Sequence, residues 1–298
     1  LGCAKIRPSP MSELLVPFEY GYMLRAMWVS ALVCGLCAFL SAYLMLKGWS
    51  LMGDALGHSV VPGVAIAYIL QLPYAAGAFF AGIIAAFGIW GIGQVSRLKQ
   101  DAVIGVVFTA FFAAGLFIVS LHPIPISVQT IVLGNILGIA DEDAAQVVVV
   151  AIVAFAILLV VWKDLMLVFF DESHARAVGI NPNALKVLFF ALLSASVVTA
   201  LQAVGAALVV ATVITPGATA YLLTDRFGRL LALSVAIGAS TGFAGAYISY
   251  FLDGATGGVI VTLQTLLFLM AFYLAPKHGV LATRRRARAA GQGEVLHP

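Results

Sequence analysis

The first residues that could do chemistry are an aspartate and a histidine inside an apolar run. Asp54 and His58 lie four positions apart in GWSLMGDALGHSVVPGVAIAY (48–68), and on a helix this spacing puts both side chains on one face. A carboxylate oxygen with an imidazole nitrogen suits divalent manganese, iron or zinc. The pair also fits a structural role, in which Asp54 caps a helix and His58 hydrogen-bonds a backbone carbonyl. Spacing alone leaves both interpretations open.

Two proline–glycine pairs lie within apolar runs. Pro62 and Gly63 lie just beyond His58, and Pro216 and Gly217 stand inside TVITPGATAYLL. Proline removes a backbone donor and disturbs the preceding turn, so we expect a helix break at each pair. The freed carbonyls could line a passage through the protein or simply permit a kink.

The segment KDLMLVFFDESHARAVGINPNALK (163–186) differs from its surroundings, because charged residues alternate with apolar ones. Asp171 or Ser173 is placed to cap a short helix that Gly179 would end. An amphipathic helix between apolar runs can rest on a membrane surface or dock a soluble partner. Composition does not choose between these two roles.

Several enzyme motifs are absent from the sequence. It contains no G-x-x-x-x-G-K-[ST] phosphate loop, no H-E-x-x-H and no G-x-S-x-G. We therefore expect the chain not to be an enzyme, and any ATP that drives it must be bound by another polypeptide.

Composition sets the class of protein that must position these residues. Of 298 residues, 62% are hydrophobic and only 10% are charged, whereas soluble domains carry about 25% charged residues. A water-soluble globule is thereby excluded, and a net charge of +3 gives no support to nucleic-acid binding.

The apolar runs are long enough for membrane-spanning helices, which need about 20 residues each. They fall at 22–46, 55–72, 75–95, 102–121, 144–162, 187–203, 205–223, 230–251 and 256–274. The second run is short and glycine-rich, so we expect eight to nine spans. With no period-two alternation along these runs, the predicted fold is an all-α polytopic transmembrane helix bundle.

Basic residues predict the orientation of the chain, since cytoplasmic loops hold an excess of them. Alternating spans place the clusters at 97–99, 163–176, 186, 226–229 and 284–288 on one side, so the C-terminus is expected in the cytoplasm. The side of the N-terminus stays open. We expect an N-terminal extension over 1–14, disordered or derived from upstream sequence, one permease domain over 15–276 with a segment at 163–182, and a basic tail over 277–298.

Four stretches give the sequence a family resemblance: SLMGDALGHSVVPGVAIAY (50–68), FFDESHARAVGI (169–180), ITPGATAYLLTDRF (214–227) and LDGATGGVIVTLQTLLFLMAFYLAPKHG (252–279). Over about residues 15–288 the chain resembles the membrane permeases of ATP-binding-cassette (ABC) importers for manganese, iron and zinc. It is most similar to the chelated iron and manganese branch of Gram-negative bacteria.

The resemblance implies a multi-pass protein of the bacterial inner membrane that works by alternating access. Its expected partners, besides membrane lipid, are a second permease subunit, identical or different, a cytoplasmic ABC ATPase dimer and a periplasmic metal-binding lipoprotein. No cofactor is expected on this chain: Mn²⁺ or Fe²⁺, or else Zn²⁺, is the cargo, and ATP binds the partner. The resemblance gives Asp54 and His58 the role of metal ligands. The coupling role toward the ATPase falls on Asp171, Glu172, Ala175, Arg176 and Gly179.

Two other functions compete with this one. In a secondary transporter of divalent metal, Asp54 and His58 would carry protons and no ATPase would be needed. In a non-transporting membrane scaffold, the 163–186 segment would recruit a soluble partner. The preference for manganese and iron over zinc rests on the resemblance alone, because Asp and His accept all three metals.

Overall fold

The computed structural model describes residues 16–49, 51–122 and 141–275. The expected N-terminal extension and basic tail therefore lie outside the described residues. The regular structure within these ranges is helical. Residues 16–19 form one helical turn, and eleven helices follow: α1 (Gly21–Lys47), α2 (Met52–Ser59), α3 (Val61–Ile69), α4 (Tyr74–Val95), α5 (Gln100–Leu121), α6 (Asp141–Phe170), α7 (Glu172–Ala177), α8 (Pro182–Val204), α9 (Ala206–Leu223), α10 (Phe227–Leu252) and α11 (Thr256–Leu274).

Seven of the described helices are long and apolar enough to cross a membrane: α1, α4, α5, α6, α8, α10 and α11. The all-α polytopic class is thereby confirmed, whereas the count of eight to nine spans is not. The two other predicted runs form shorter elements. One is the pair α2 and α3, and the other is the helix α9, whose apolar part covers Leu208–Leu223.

Helix α1 is the centre of the bundle and is buried along most of its length. Helix α10 lies directly against it, because glycines on α10 face the α1 backbone. A Cβ placed on Gly238 would lie 2.6 Å from the Cys34 carbonyl oxygen, and one on Gly242 would lie 2.6 Å from that of Ser30. Small residues permit this close approach of helices in a membrane, where burial of apolar surface gives little drive.

The basic loops gather at one end of the bundle. There the Tyr43 hydroxyl of α1 donates to the Trp162 carbonyl of α6 at 2.8 Å, and its ring lies 5.0 Å from that of Phe227, which begins α10. The opposite end carries contacting aromatic side chains, including Phe18 with Tyr247. Because cytoplasmic loops carry an excess of positive charge, the basic end is the one expected to face the cytoplasm.

Helix α6 extends further than the sequence predicts. We expected a span over 144–162 followed by a separate segment, but α6 continues to Phe170. The residues after Lys163 are mostly apolar, and Leu165 and Val168 are buried, so the helix keeps a packed face beyond residue 162. Only Glu172–Ala177 forms the separate short helix, α7.

Helix α9 is continuous through Pro216, so the break expected at Pro216 and Gly217 does not end the helix. A serine from α1 hydrogen-bonds the α9 backbone on both sides of the proline. Ser41 Oγ donates to the Ile214 carbonyl at 3.1 Å and accepts from the Gly217 backbone N–H at 3.1 Å. The two backbone groups beside the proline are thus satisfied from the neighbouring helix.

Substituting Ser41→Ala should destabilise the protein by about 1–3 kcal/mol, because it removes two hydrogen bonds between α1 and α9, each worth about 0.5–1.5 kcal/mol. Thermal unfolding of the purified protein in a neutral detergent measures the effect. Ser240→Ala is the matched control, since Ser240 is exposed and bonds only within its own helix. Equal unfolding midpoints for the two variants would contradict the role given to Ser41.

Candidate functional site

The predicted pair of ligands forms on α2. His58 Nε2 lies 3.3 Å from Asp54 Oδ1, and the two side chains are 38% and 37% exposed in the single chain. Among the described residues neither side chain hydrogen-bonds the backbone, so the cap and the carbonyl contact that a purely structural role requires are not found there. The pair shares one helix face, as the spacing predicts, and this face is open.

Two aromatic rings of α5 flank the histidine. The ring centroids of Phe108 and Phe112 each lie 5.5 Å from that of His58. Both phenylalanines stand near the middle of Gln100–Leu121, so His58 lies near mid-depth in the membrane. An imidazole at this depth is costly without a polar partner or a ligand, and Asp54 is the partner it has.

Close backbone packing fixes the face of α2 and α3 that turns away from the pair. A Cβ on Gly53, next to Asp54, would lie 2.5 Å from Val213 Cγ1 of α9. On α3, a Cβ on Gly63 would lie 2.1 Å from the Gly77 carbonyl oxygen of α4. Neither glycine has room for a side chain, so α2 packs tightly against α9 and α3 against α4. The helix face that carries Asp54 and His58 therefore has one orientation.

The break between α2 and α3 differs from the prediction in position. The helices are separated at Val60, before Pro62, and α3 continues through Pro62 and Gly63 to Ile69. Proline is tolerated in the first turn of a helix, where its missing N–H has no partner in any case. Pro62 therefore begins the second helix rather than ending the first.

The described residues contain no group of three or more His, Cys, Asp and Glu side chains that could hold a metal ion. If Asp54 and His58 bound an ion, they would supply two ligands and leave its other coordination positions free. A closed structural zinc site has four protein ligands. Two ligands on an open face suit an ion that must arrive and leave.

The 171–179 segment folds as its capping residues predict. Asp171 Oδ1 accepts the backbone N–H groups of Ser173 at 2.9 Å and His174 at 3.0 Å, which caps α7. The chain leaves α7 through Gly179 at φ +90°, a conformation that glycine adopts without strain. Ala175 is fully buried while Arg176 is exposed, so α7 rests on the bundle and presents its other face outward.

Comparison with known proteins decides the family. The model of the ABC 3 transport family matches residues 19–275. The chain belongs to the ABC 3 transport family.

Relatives from this family align with this chain over nearly its whole length. The chelated iron transport system membrane protein YfeC of Yersinia pestis is 64% identical over 288 residues, which covers 96% of this chain and 98% of the relative. The manganese transport system membrane protein MntB of a Synechocystis species is 43% identical over 281 residues, 94% of this chain and 92% of its own.

Solved structures of similar fold include PsaBC from Streptococcus pneumoniae in complex with Fab. It has a TM-score of 0.79 and 33% identity, and the match covers 92% of this chain and 99% of that one. A putative metal-chelate type ABC transporter in an inward-facing conformation has a TM-score of 0.64 at 17% identity, covers 91% of both chains, and supports the fold alone. The family resemblance found in the sequence is confirmed, and so is the expected multi-pass inner-membrane protein.

Within this ABC 3 family chain, one residue near the α7 segment was missed by the sequence analysis. Lys186 of α8 is almost fully buried and its ammonium group contacts the Glu172 carboxylate, whose second neighbour is Arg176 at 3.8 Å. The contact between Lys186 and Glu172 joins α7 to the start of α8. In the sequence, the signal for Lys186 is a lone lysine early in an otherwise apolar helix, which by itself indicates only the orientation of the chain.

Proposed function

We propose that this chain is the permease subunit of an ABC importer that moves Mn²⁺ or Fe²⁺ from the periplasm to the cytoplasm by alternating access. Zn²⁺ fits the same ligands. The observation that carries the proposal is the Asp54–His58 pair, 3.3 Å apart on an open face near mid-depth. The names of the relatives, which concern chelated iron and manganese transport, support the choice of cargo.

The path of the chain supports nine crossings by the described helices. The pair α2 and α3 together leads from the basic end to the opposite end, and α9 leads back, so each acts as one crossing beside the seven longer helices. This count places the start of α1 outside and the end of α11 in the cytoplasm. The permease is then one unit over 15–276, with its basic tail on the cytoplasmic side.

The ligand pair would receive the ion from a periplasmic metal-binding lipoprotein. Asp54 and His58 would replace part of the hydration shell, with one oxygen and one nitrogen ligand. Because their face is more than a third exposed in the single chain, a second permease subunit could complete the passage with its own ligands. Two ligands from each chain would hold the ion weakly enough to release it.

The α7 segment would couple this movement to a cytoplasmic ATPase dimer. Its exposed side chains, among them Arg176, would lie in a groove of the ATPase, while Asp171 and Gly179 fix the two ends of the helix. Ala175 is buried and would seat the helix rather than touch the ATPase. A movement of α7 would pass through Glu172 and Lys186 to α8. Rigid movement of the bundle would then change the side of the membrane from which Asp54 and His58 are accessible.

Metal uptake in proteoliposomes tests this function against its rivals. The chain is reconstituted with its candidate ATPase and binding protein, and radiolabelled Mn²⁺ uptake is followed with ATP, without ATP, and with a protonophore. We expect uptake that requires ATP and survives collapse of the proton gradient. Uptake that needs the gradient and no ATP would instead identify a secondary transporter, and no uptake under any condition would favour a scaffold.

A further inference from the structure

A cavity of about 210 Å³ lies at the basic end of the bundle. It is enclosed by the ends of α1, α4 and α6 and by the starts of α5, α7 and α8. Its lining includes the charged side chains Lys47, Glu172 and Lys186, the amides Gln94 and Gln100, and the indoles Trp49 and Trp90. At about 30 Å³ per water molecule, the space holds about seven waters or one small charged group. It lies apart from Asp54 and His58, which are not among its lining residues.

Two hydrogen-bond donors of this cavity have no acceptor. The Trp90 indole nitrogen is buried and makes no hydrogen bond. Lys47 has no carboxylate partner among the described residues, and its ammonium group lies only over the Phe169 ring, 5.9 Å from the centroid. Lys47 is only partly buried, so the stronger observation is Trp90, because a buried donor without a partner is uncommon in native proteins and calls for an explanation such as a ligand.

The remaining charges of the cavity balance each other. Glu172 contacts Lys186, so its carboxylate is compensated and the surplus charge of the cavity is that of Lys47. Both unpaired groups are donors with no acceptor capacity, which excludes a metal cation and suits an anion with several oxygen acceptors. The amide groups of Gln94 and Gln100, both exposed, stand at the rim and can donate to the same anion.

We propose that this cavity binds a phosphate group, supplied by the headgroup of an anionic lipid of the cytoplasmic leaflet. Basic pockets between membrane helices on the cytoplasmic side are suited to such headgroups. The phosphate would bond the Lys47 ammonium group and the Trp90 N–H, and so join the end of α1 to α4 beside the base of α7. The proposal rests on the cavity and on the orientation given under the proposed function, and it stands whether or not the transported ion is correctly assigned.

Lipid binding to the purified full chain in neutral detergent tests the proposal. The probes are phosphatidylglycerol, phosphatidylcholine and inorganic phosphate, and the readouts are the thermal unfolding midpoint and native mass spectrometry. We expect phosphatidylglycerol to raise the midpoint and to remain bound, and phosphatidylcholine to do neither. Trp90→Phe keeps an aromatic ring but removes the N–H. This variant and Lys47→Gln should each reduce the phosphatidylglycerol-induced rise of the unfolding midpoint at least about threefold.

Two further variants make the result specific. Lys47→Arg keeps the charge and should bind phosphatidylglycerol as the wild type does, while Arg97→Gln removes an exposed charge outside the cavity and should change nothing. Equal stabilisation of wild type, Lys47→Gln and Trp90→Phe by phosphatidylglycerol would overturn the site. Stabilisation by inorganic phosphate equal to that by the lipid, with no lipid retained, would overturn the lipid as its source.

Discussion

Replacing Asp54 or His58 by alanine is expected to abolish ATP-driven Mn²⁺ uptake while the protein remains in the membrane. Loss of groups that merely orient metal ligands costs about 10–100-fold in metal affinity, so loss of one of two ligands should cost at least about 100-fold. The remaining partner would also stand uncompensated at mid-depth, where a charge or polar group is expensive. Radiolabelled uptake into proteoliposomes, normalised to permease content, measures the effect.

Matched controls are available on α5 and at its end. Asp101 and His122 are exposed and belong to neither proposed site, so Asp101→Ala and His122→Ala remove the same chemical groups elsewhere. Both should transport at the wild-type rate. Wild-type uptake by Asp54→Ala or His58→Ala would remove the pair from the metal path and would favour a scaffold role for the chain.

Breaking the ion pair beneath α7 should uncouple ATP hydrolysis from transport. Glu172→Gln leaves Lys186 buried without its partner, and Lys186→Met removes the link from α7 to α8. Removing one partner of a fully buried pair costs roughly 3–5 kcal/mol, and the cost is smaller here because the Glu172 side chain is 33% exposed. A loss of about 1–2 kcal/mol in coupling corresponds to a factor of roughly 5–30 in metal transported per ATP.

Parallel assays of ATP hydrolysis and uptake by the assembled complex test this coupling. We expect hydrolysis to persist in both single variants while uptake falls at least about fivefold. The double variant Glu172→Gln/Lys186→Met should lose less than the sum of the two, since the groups act as one unit. Lys163→Gln, an exposed lysine at the same end, is the control. Strict additivity, or equal falls in hydrolysis and uptake, would contradict transmission through this pair.

Local patterns in the sequence predicted those parts of the site that depend on neighbouring residues. The four-residue spacing of Asp54 and His58 fixed a common helix face, and Asp171 and Gly179 marked the two ends of α7. These features follow from helix geometry and capping, which short sequence ranges determine. The spans followed in the same way from apolar runs of sufficient length.

Contacts between distant parts of the chain could not be predicted. The rings of Phe108 and Phe112 on α5 contact His58 on α2, and Ser41 of α1 hydrogen-bonds the backbone of α9. Each of these residues looks like ordinary filling of an apolar helix, because only the packing of α1, α5 and α9 gives it a partner. The sequence also predicted a break at Pro216, whereas α9 is continuous there and is hydrogen-bonded on both sides of the proline by Ser41 of α1.

Metal selectivity of a thiolate variant tests most directly whether His58 is a ligand. Thiolate favours zinc over the harder manganese ion, so His58→Cys should change which metal is carried rather than only how much. We predict that the ratio of Zn²⁺ to Mn²⁺ uptake rises at least about tenfold, equivalent to 1.4 kcal/mol, and stays at the wild-type value in the control His122→Cys. An unchanged ratio in an active His58→Cys variant would contradict metal coordination at this site.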